Sequence, residues 1–279
     1  MLSNQIIKDI ASQVSLVSDL SDDVLIEFCA IANQRYRIGS PIISDENYDF
    51  IFLNELAKRL PNHPFLKKVE DEIEGFSEEK IKLPQKMLST DKAYSWEEVN
   101  KWLERITKFS SEINYLLADI QIKGTAKLDG FAGYDDGNKL YTRGDGNKGS
   151  DISRVFERGL GVFNNSERGQ GPGEIVVKRS YFEKYLSNHF EYPRNFQASL
   201  IKEKELDKLA IDAISAKAAL FVPFNQLPHW LGGIDEFRRQ FLDVVSQLEG
   251  GVDFDIDGVV FEIVNPELKK HMGSNRKFH

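Results

Sequence analysis

Apolar positions recur at helical spacing along the first sixty residues and then change period. Ile6, Ile7, Ile10 and Val14 fall on one helical face. Ser21-Asp22-Asp23 supplies a cap and an acidic first turn for a second helix. A third is predicted to open at Ser44 and run to Leu60, where Pro61 and Pro64 stop it. The charged stretch Asp71 to Leu83 carries no clear period and is read as a linker. Beyond it, Ser95 and Glu98 form a capping box for a helix bearing Trp96, Val99, Trp102 and Leu103.

Strand patterns then dominate. Leu116 to Lys123 is predicted as one strand. Gly130 to Tyr134 and Lys139 to Arg143 flank Asp135-Asp136-Gly137-Asn138, a hairpin turn. Glu174 to Lys178 makes another strand, followed by a helix capped by Ser180 and Glu183. Ala219 to Val222 and Asp257 to Val264 complete the set, with an amphipathic helix from Ile234 to Leu248 between them. The pattern predicts an α+β chain, a small helical domain at residues 1–70 and a larger mixed one at 71–279.

Composition narrows the function classes. The chain has 279 residues, 41% hydrophobic and 29% charged, and one cysteine, so a disulfide framework or a cysteine zinc site is excluded. Cys29 lies among apolar neighbours as a small core residue, and a cytoplasmic location is the default expectation. No apolar run approaches membrane-spanning length, and the N-terminus lacks a signal-peptide pattern. With 36 basic against 44 acidic residues, the net charge of −8 argues against a module that grips nucleic acid unaided. The five histidines show no metal-ligand spacing.

Candidate chemistry gathers at four places. Lys127 sits in Lys-Leu-Asp-Gly, predicted just after a strand and before a glycine turn; a lysine amine attacks only when neutral. The loop Thr142-Arg143-Gly144-Asp145-Gly146 offers cations and glycine backbone for a phosphate, or is simply a hairpin exit. Glu174 and Asp257, read at strand starts, suit a ribose hydroxyl or a divalent metal, or are solvated turn residues. Asp45, Tyr48 and Asp49 share a helix face suited to a cationic planar group, unless they merely cap and pack.

The order of these blocks resembles the N-terminal half of a bacterial NAD-dependent DNA ligase. Pro41 to Asp49, Met87-Leu88-Ser89-Thr90, Lys127-Leu128-Asp129-Gly130, Thr142 to Gly146, Gly173-Glu174, Tyr192-Pro193-Arg194-Asn195 and Asp257-Gly258-Val259-Val260 follow in the family's sequence. The resemblance implies a helical domain that handles the nicotinamide mononucleotide (NMN) half of NAD. An ATP-grasp-like nucleotidyltransferase (adenylation) domain of antiparallel sheets and helices would follow. It implies that Lys127 becomes adenylated from NAD, releasing NMN as the first step of nick sealing in DNA replication and repair. Asp129 and Asp257 would organise phosphates and Mg²⁺, Arg143 would contact the nucleotide, Glu174 would hold the ribose, and Ser89 would lie beside the adenine. Arg194 matches the family arginine, and Tyr36, Asp45, Tyr48 and Asp49 would hold NMN.

Several positions depart from the family pattern. Arg35-Tyr36 stands for a tyrosine pair, Thr125 for a glutamate, and Glu262 for a lysine. Set against the family pattern, the resemblance implies that the acceptor for the adenine amine would move from position 125 to Glu262, with the Thr125 hydroxyl donating to a ring nitrogen. The chain stops short of the family's next lysine motif, so nicked duplex DNA is expected to bind only through C-terminal modules absent here. A monomer is expected. The alternatives are an NTP-dependent nucleotidyltransferase of RNA-ligase or capping type, and a degenerate nucleotide-binding module.

Overall fold

The computed structural model describes residues 2–37, 40–44, 47–67, 80–87, 90 and 92–273. The N-terminal part is helical. Helix α1 (Asn4–Ser12) is capped by Ser3, whose Oγ accepts from the Ile6 amide at 3.3 Å. Helix α2 (Asp22–Arg37) follows, and a π-helical turn (Tyr48–Leu53) runs into α3 (Asn54–Arg59). Leu25, Phe28, Cys29, Phe52 and Leu56 form their common core, with the Phe28 and Phe52 rings 4.6 Å apart. Burial pushes the Cys29 thiol up to about 12, which leaves it an inert core group. The Arg59 guanidinium donates to the Leu20 and Ser18 carbonyls, each at 2.7 Å, and so ties the end of α3 to the turn before α2. Pro64 does more than stop a helix: it opens the short helical turn Pro64–Lys67.

Of the predicted linker, 71–79 lies outside the described residues. Its end is not a linker. Ile81–Lys82 forms β1, antiparallel to β5 (Lys148–Gly149), and Leu83 is buried against Met87 and Tyr141. Two paired residues are too few to register as a strand period.

Two larger sheets build the rest. Strand β2 (Gln121–Leu128) is the centre of a three-stranded antiparallel sheet, between β9 (His229–Gly233) and β10 (Ile256–Ile263). Helices α4 (Trp96–Glu112), α7 (Ile234–Gly250) and α8 (Pro266–Met272) pack on it through Leu103, Ile106, Phe237, Leu268 and Met272. The second sheet runs in the order β4 (Leu140–Thr142), β3 (Phe131–Asp135), β7 (Gly171–Val177), β8 (Ala219–Pro223), β6 (Gly161–Val162), antiparallel except for β6 with β8. Helices α5 (Pro193–Lys202) and α6 (Lys208–Ser215) cover it. Leu128 from the first sheet joins Val176, Leu220 and Val222 from the second in one shared cluster with Phe254.

Several boundaries differ from the sequence reading, most by one residue and the following by more. The strand expected from Leu116 begins at Gln121, and Leu117–Asp119 is a 3-10 turn. The same strand continues past Lys123 to Leu128, so Lys127 is its penultimate residue rather than the residue after it. Gly171-Pro172-Gly173 is not a turn before a strand but the start of β7, which puts Glu174 in mid-strand. The Ser180 hydroxyl donates to Asp253 at 2.6 Å instead of capping its helix. Glu98 likewise accepts from the Tyr94 amide at 2.6 Å, one residue before the Ser95 cap.

Candidate active site

Alternation along β2 aims the site. Ile122, Gly124, Ala126 and Leu128 are buried, while Lys123, Thr125 and Lys127 occupy the other face and line a cleft of about 740 Å³. Across β10 the register sets Val260 opposite Thr125 and Glu262 opposite Lys123. The cleft is bounded by both large sheets and by the helical segment, through Tyr36, Tyr48 and Asp49.

Lys127 Nζ makes a short ion pair with the Asp257 carboxylate. Asp257 is largely buried, and burial raises its pKa despite the attraction of Lys127. Two residues on, the Asp129 carboxylate accepts from the Tyr36 hydroxyl at 2.8 Å and from Arg194 at 3.1 Å. A Cβ at Gly130 would lie 2.3 Å from the Ile175 carbonyl, so only glycine lets β2 turn so tightly against β7.

Arg194 is the hub. Its guanidinium stacks on the Tyr36 ring at 3.8 Å and on Phe131 at 4.6 Å, donates to the Tyr36 carbonyl at 3.0 Å, and reaches the Gly130 carbonyl. Its position on the first turn of α5 follows from Pro193 at the helix start and from Asn195, whose side chain accepts from the Tyr192 amide at 3.0 Å. Glu174 is 8% exposed in mid-strand. Burial pushes its pKa up to about 8, against the opposing pull of Arg194 and Lys127. The solvated-turn reading of Glu174 therefore fails.

The Arg143 loop is not a loose hairpin exit. The Asp145 carboxylate accepts from the Asn147 and Lys148 amides at 2.8 and 2.7 Å, and the Met87 amide donates to the Gly146 carbonyl at 2.9 Å. Gly146 has φ +87, and a Cβ there would meet the Met87 carbonyl at 2.6 Å. Arg143 Nε donates to the same carbonyl at 3.2 Å, which fixes the guanidinium at the cleft wall.

Tyr48 lines the cleft while its hydroxyl donates to the Cys29 carbonyl at 3.2 Å. Asp49 is met by Lys92 at 2.6 Å. Asp45 and Ser89 lie outside the described residues. Thr125 and Glu262 both line the cleft, and Glu262 Oε2 lies 2.7 Å from Lys269 Nζ. Sequence reasoning missed Lys92 and Lys269. Asn265-Pro266 signals the start of the helix that carries Lys269, but not that this helix folds back on β10.

Among the described residues no three His, Cys, Asp or Glu side chains converge as a metal group. Asp129 and Asp257 are single carboxylates, a donor set that fits a cation shared with substrate phosphates and waters rather than a protein cage. Among the described residues no helix is long and apolar enough to cross a membrane.

Residues 76–205 match the family described as the NAD-dependent DNA ligase adenylation domain. Proteins named DNA ligase are similar along nearly the whole chain. That of Vesicomyosocius okutanii subsp. Calyptogena okutanii is 60% identical over 279 residues, covering 100% of this chain and 44% of the relative. That of Shewanella baltica is 48% identical over 271 residues, 97% of this chain and 42% of the relative. At 36% identity, the protein of Desulfatibacillum aliphaticivorans aligns over 93% of this chain and 40% of its own length. The chain thus spans less than half the length of the relatives it matches.

Proposed function

We propose that the chain carries the adenylation domain of an NAD-dependent DNA ligase and that Lys127 is the nucleophile that takes the adenylyl group from NAD. The observation that carries this reading is the Lys127–Asp257 pair in a cleft shared with Glu174 and Arg143. An ammonium cannot attack phosphorus, so the proton must leave first. Asp257 touches Nζ, and its raised pKa suits it to receive that proton. The Lys127 nitrogen then bonds to the α-phosphorus of NAD, the bond from that phosphorus to the bridging oxygen breaks, and NMN departs with the electron pair. Arg143 offsets charge on the phosphate. Glu174 meets the ribose hydroxyls, and in its protonated form it donates as well as accepts. Tyr36, Tyr48 and Asp49 receive the NMN half; Asp45 is assigned to the same half and Ser89 to the adenine by the family resemblance alone. Mg²⁺, when bound beside Asp129 and Asp257, would neutralise phosphate charge in the transition state.

The domain division near residue 70, a monomeric state, a cytoplasmic setting and nicked duplex DNA as the final acceptor belong to the same proposal. A chain of net charge −8 leaves most of the DNA grip to other segments. The test is intact-mass measurement after incubation with NAD and Mg²⁺. The wild-type chain gains one adenylyl group. Lys127→Ala and Lys127→Arg gain none, since arginine stays protonated. Labelling of Lys127→Ala at the wild-type level overturns the assignment.

A further inference from the structure

One group of charged side chains at the end of the cleft away from Lys127 is not used by the reaction above. Lys123, Glu262 and Lys269 line it from β2, β10 and α8. Four residues of extended strand, about 13 Å, separate Lys123 from Lys127. That span is comparable to the length of a nucleoside monophosphate. With the phosphate at Lys127 and the NMN half toward Tyr48 and Asp49, a base laid over Thr125 and Val260 turns its polar edge toward Glu262 and Lys269. The orientation rests on the proposed reaction at Lys127.

The two groups are held side by side. Lys269 Nζ lies 2.7 Å from Glu262 Oε2, and their side chains are 48% and 38% exposed, open enough to meet a ligand. An ammonium only donates hydrogen bonds and a carboxylate only accepts them. Adenine presents the complementary order on its pairing edge, an acceptor at N1 beside the amine at C6. Hypoxanthine inverts it, with a donor at N1 beside a carbonyl oxygen.

The geometry points to Glu262 and Lys269 as the pair that selects the base, with Lys269 donating to N1 and Glu262 accepting from the exocyclic amine of adenine. Glu262 alone would accept equally well from the adjacent N1 and C2-amino donors of guanine. Lys269 tips the choice, because its ammonium cannot face the guanine N1–H without conflict.

Calorimetric binding of AMP, IMP and GMP to the whole chain tests the pair without any chemistry at Lys127. Wild type binds AMP about tenfold or more tightly than IMP or GMP, the size expected for one mismatched hydrogen bond to a charged group. Lys269→Ala loses about tenfold in AMP affinity, and its preference narrows toward parity. Lys269→Arg keeps a donor and restores most of it. Melting temperatures accompany each variant, since the pair also ties α8 to β10. Unchanged affinity and preference in Lys269→Ala, absent AMP binding in wild type, or a wild-type preference for GMP or IMP overturns the assignment. A chain that NAD does not label but whose AMP preference depends on Lys269 would overturn the reaction at Lys127 and leave the base-selecting pair standing.

Discussion

The Tyr36 hydroxyl donates to the Asp129 carboxylate at 2.8 Å, joining residues 93 positions apart. Arg194 completes a triangle by donating to both, at 3.1 Å each, while its guanidinium covers the Tyr36 ring. The last turn of a helix in the N-terminal segment is thereby fastened to the loop that follows the proposed nucleophile. That fastening holds the segment over the cleft.

Tyr36→Phe keeps the ring under Arg194 and removes the hydroxyl bridge. The cost is about 1 kcal/mol for a half-exposed hydrogen bond, or roughly fivefold in the rate of adenylyl transfer from NAD. Tyr36→Ala also removes the stacking surface, and the loss grows to about 2 kcal/mol, roughly thirtyfold. Single-turnover labelling followed by mass measures both. A wild-type rate in Tyr36→Phe would show that the bridge plays no part in the reaction with NAD.

Glu174 gives stability a pH dependence of definite sign. Burial moves its pKa from the ordinary 4.5 to about 8 in the folded chain, so the folded state holds a proton that the unfolded state releases. This contribution is complete below about pH 4.5 and is lost as the pH rises through 8. Glu174→Gln mimics the protonated form at every pH. Its melting temperature should match wild type near pH 5 and exceed it near pH 9, at about 2–4 °C for each kcal/mol of charge burial avoided. A gap that stays constant from pH 5 to 9 would show that Glu174 does not titrate in this range. The same variant should label more slowly from NAD if the ribose is held there.

Much of this site was legible in the chain, because its parts are short blocks whose order carries information. Lys127, Arg143, Glu174 and Asp257 were each named from local sequence and meet in one cleft. Their exact setting was not legible. Lys123 and Lys127 interrupt the apolar run of β2, yet they are the polar half of a period-two strand. Gly171-Pro172-Gly173 reads as turn chemistry, but a Cβ at Gly173 would lie 2.5 Å from the Val222 carbonyl. That glycine serves close strand packing. The Tyr36–Asp129 and Asp49–Lys92 contacts join distant segments and have no local signature. Lys269 depends on a helix folding back onto β10, which no single window of sequence encodes.

On the proposed reading, the helical segment carries a reactant preference that can be separated from the chemistry. Among the described residues its core draws on Leu2 to Leu66, and the two large sheets have cores of their own. Removing residues 1–70 should therefore leave the cleft floor folded, with Lys127, Glu174 and Arg143 in place. What it takes away is Tyr36, Tyr48 and Asp49, the groups assigned to the NMN half. Reaction with NAD should fall at least ~100-fold, the scale of lost positioning of a leaving group. Pyrophosphate has no nicotinamide to be held, so discharge of a preformed adenylate by pyrophosphate should survive within about fivefold. The adenylate is formed on the whole chain with a protease site inserted at Asp71, and the segment is then cleaved away. Asp49→Asn, which keeps the segment but removes its carboxylate, should raise KM for NAD about fivefold with kcat nearly unchanged. If cleavage abolishes discharge as completely as it abolishes labelling, the segment supports the fold of the cleft and does not select the leaving half of NAD.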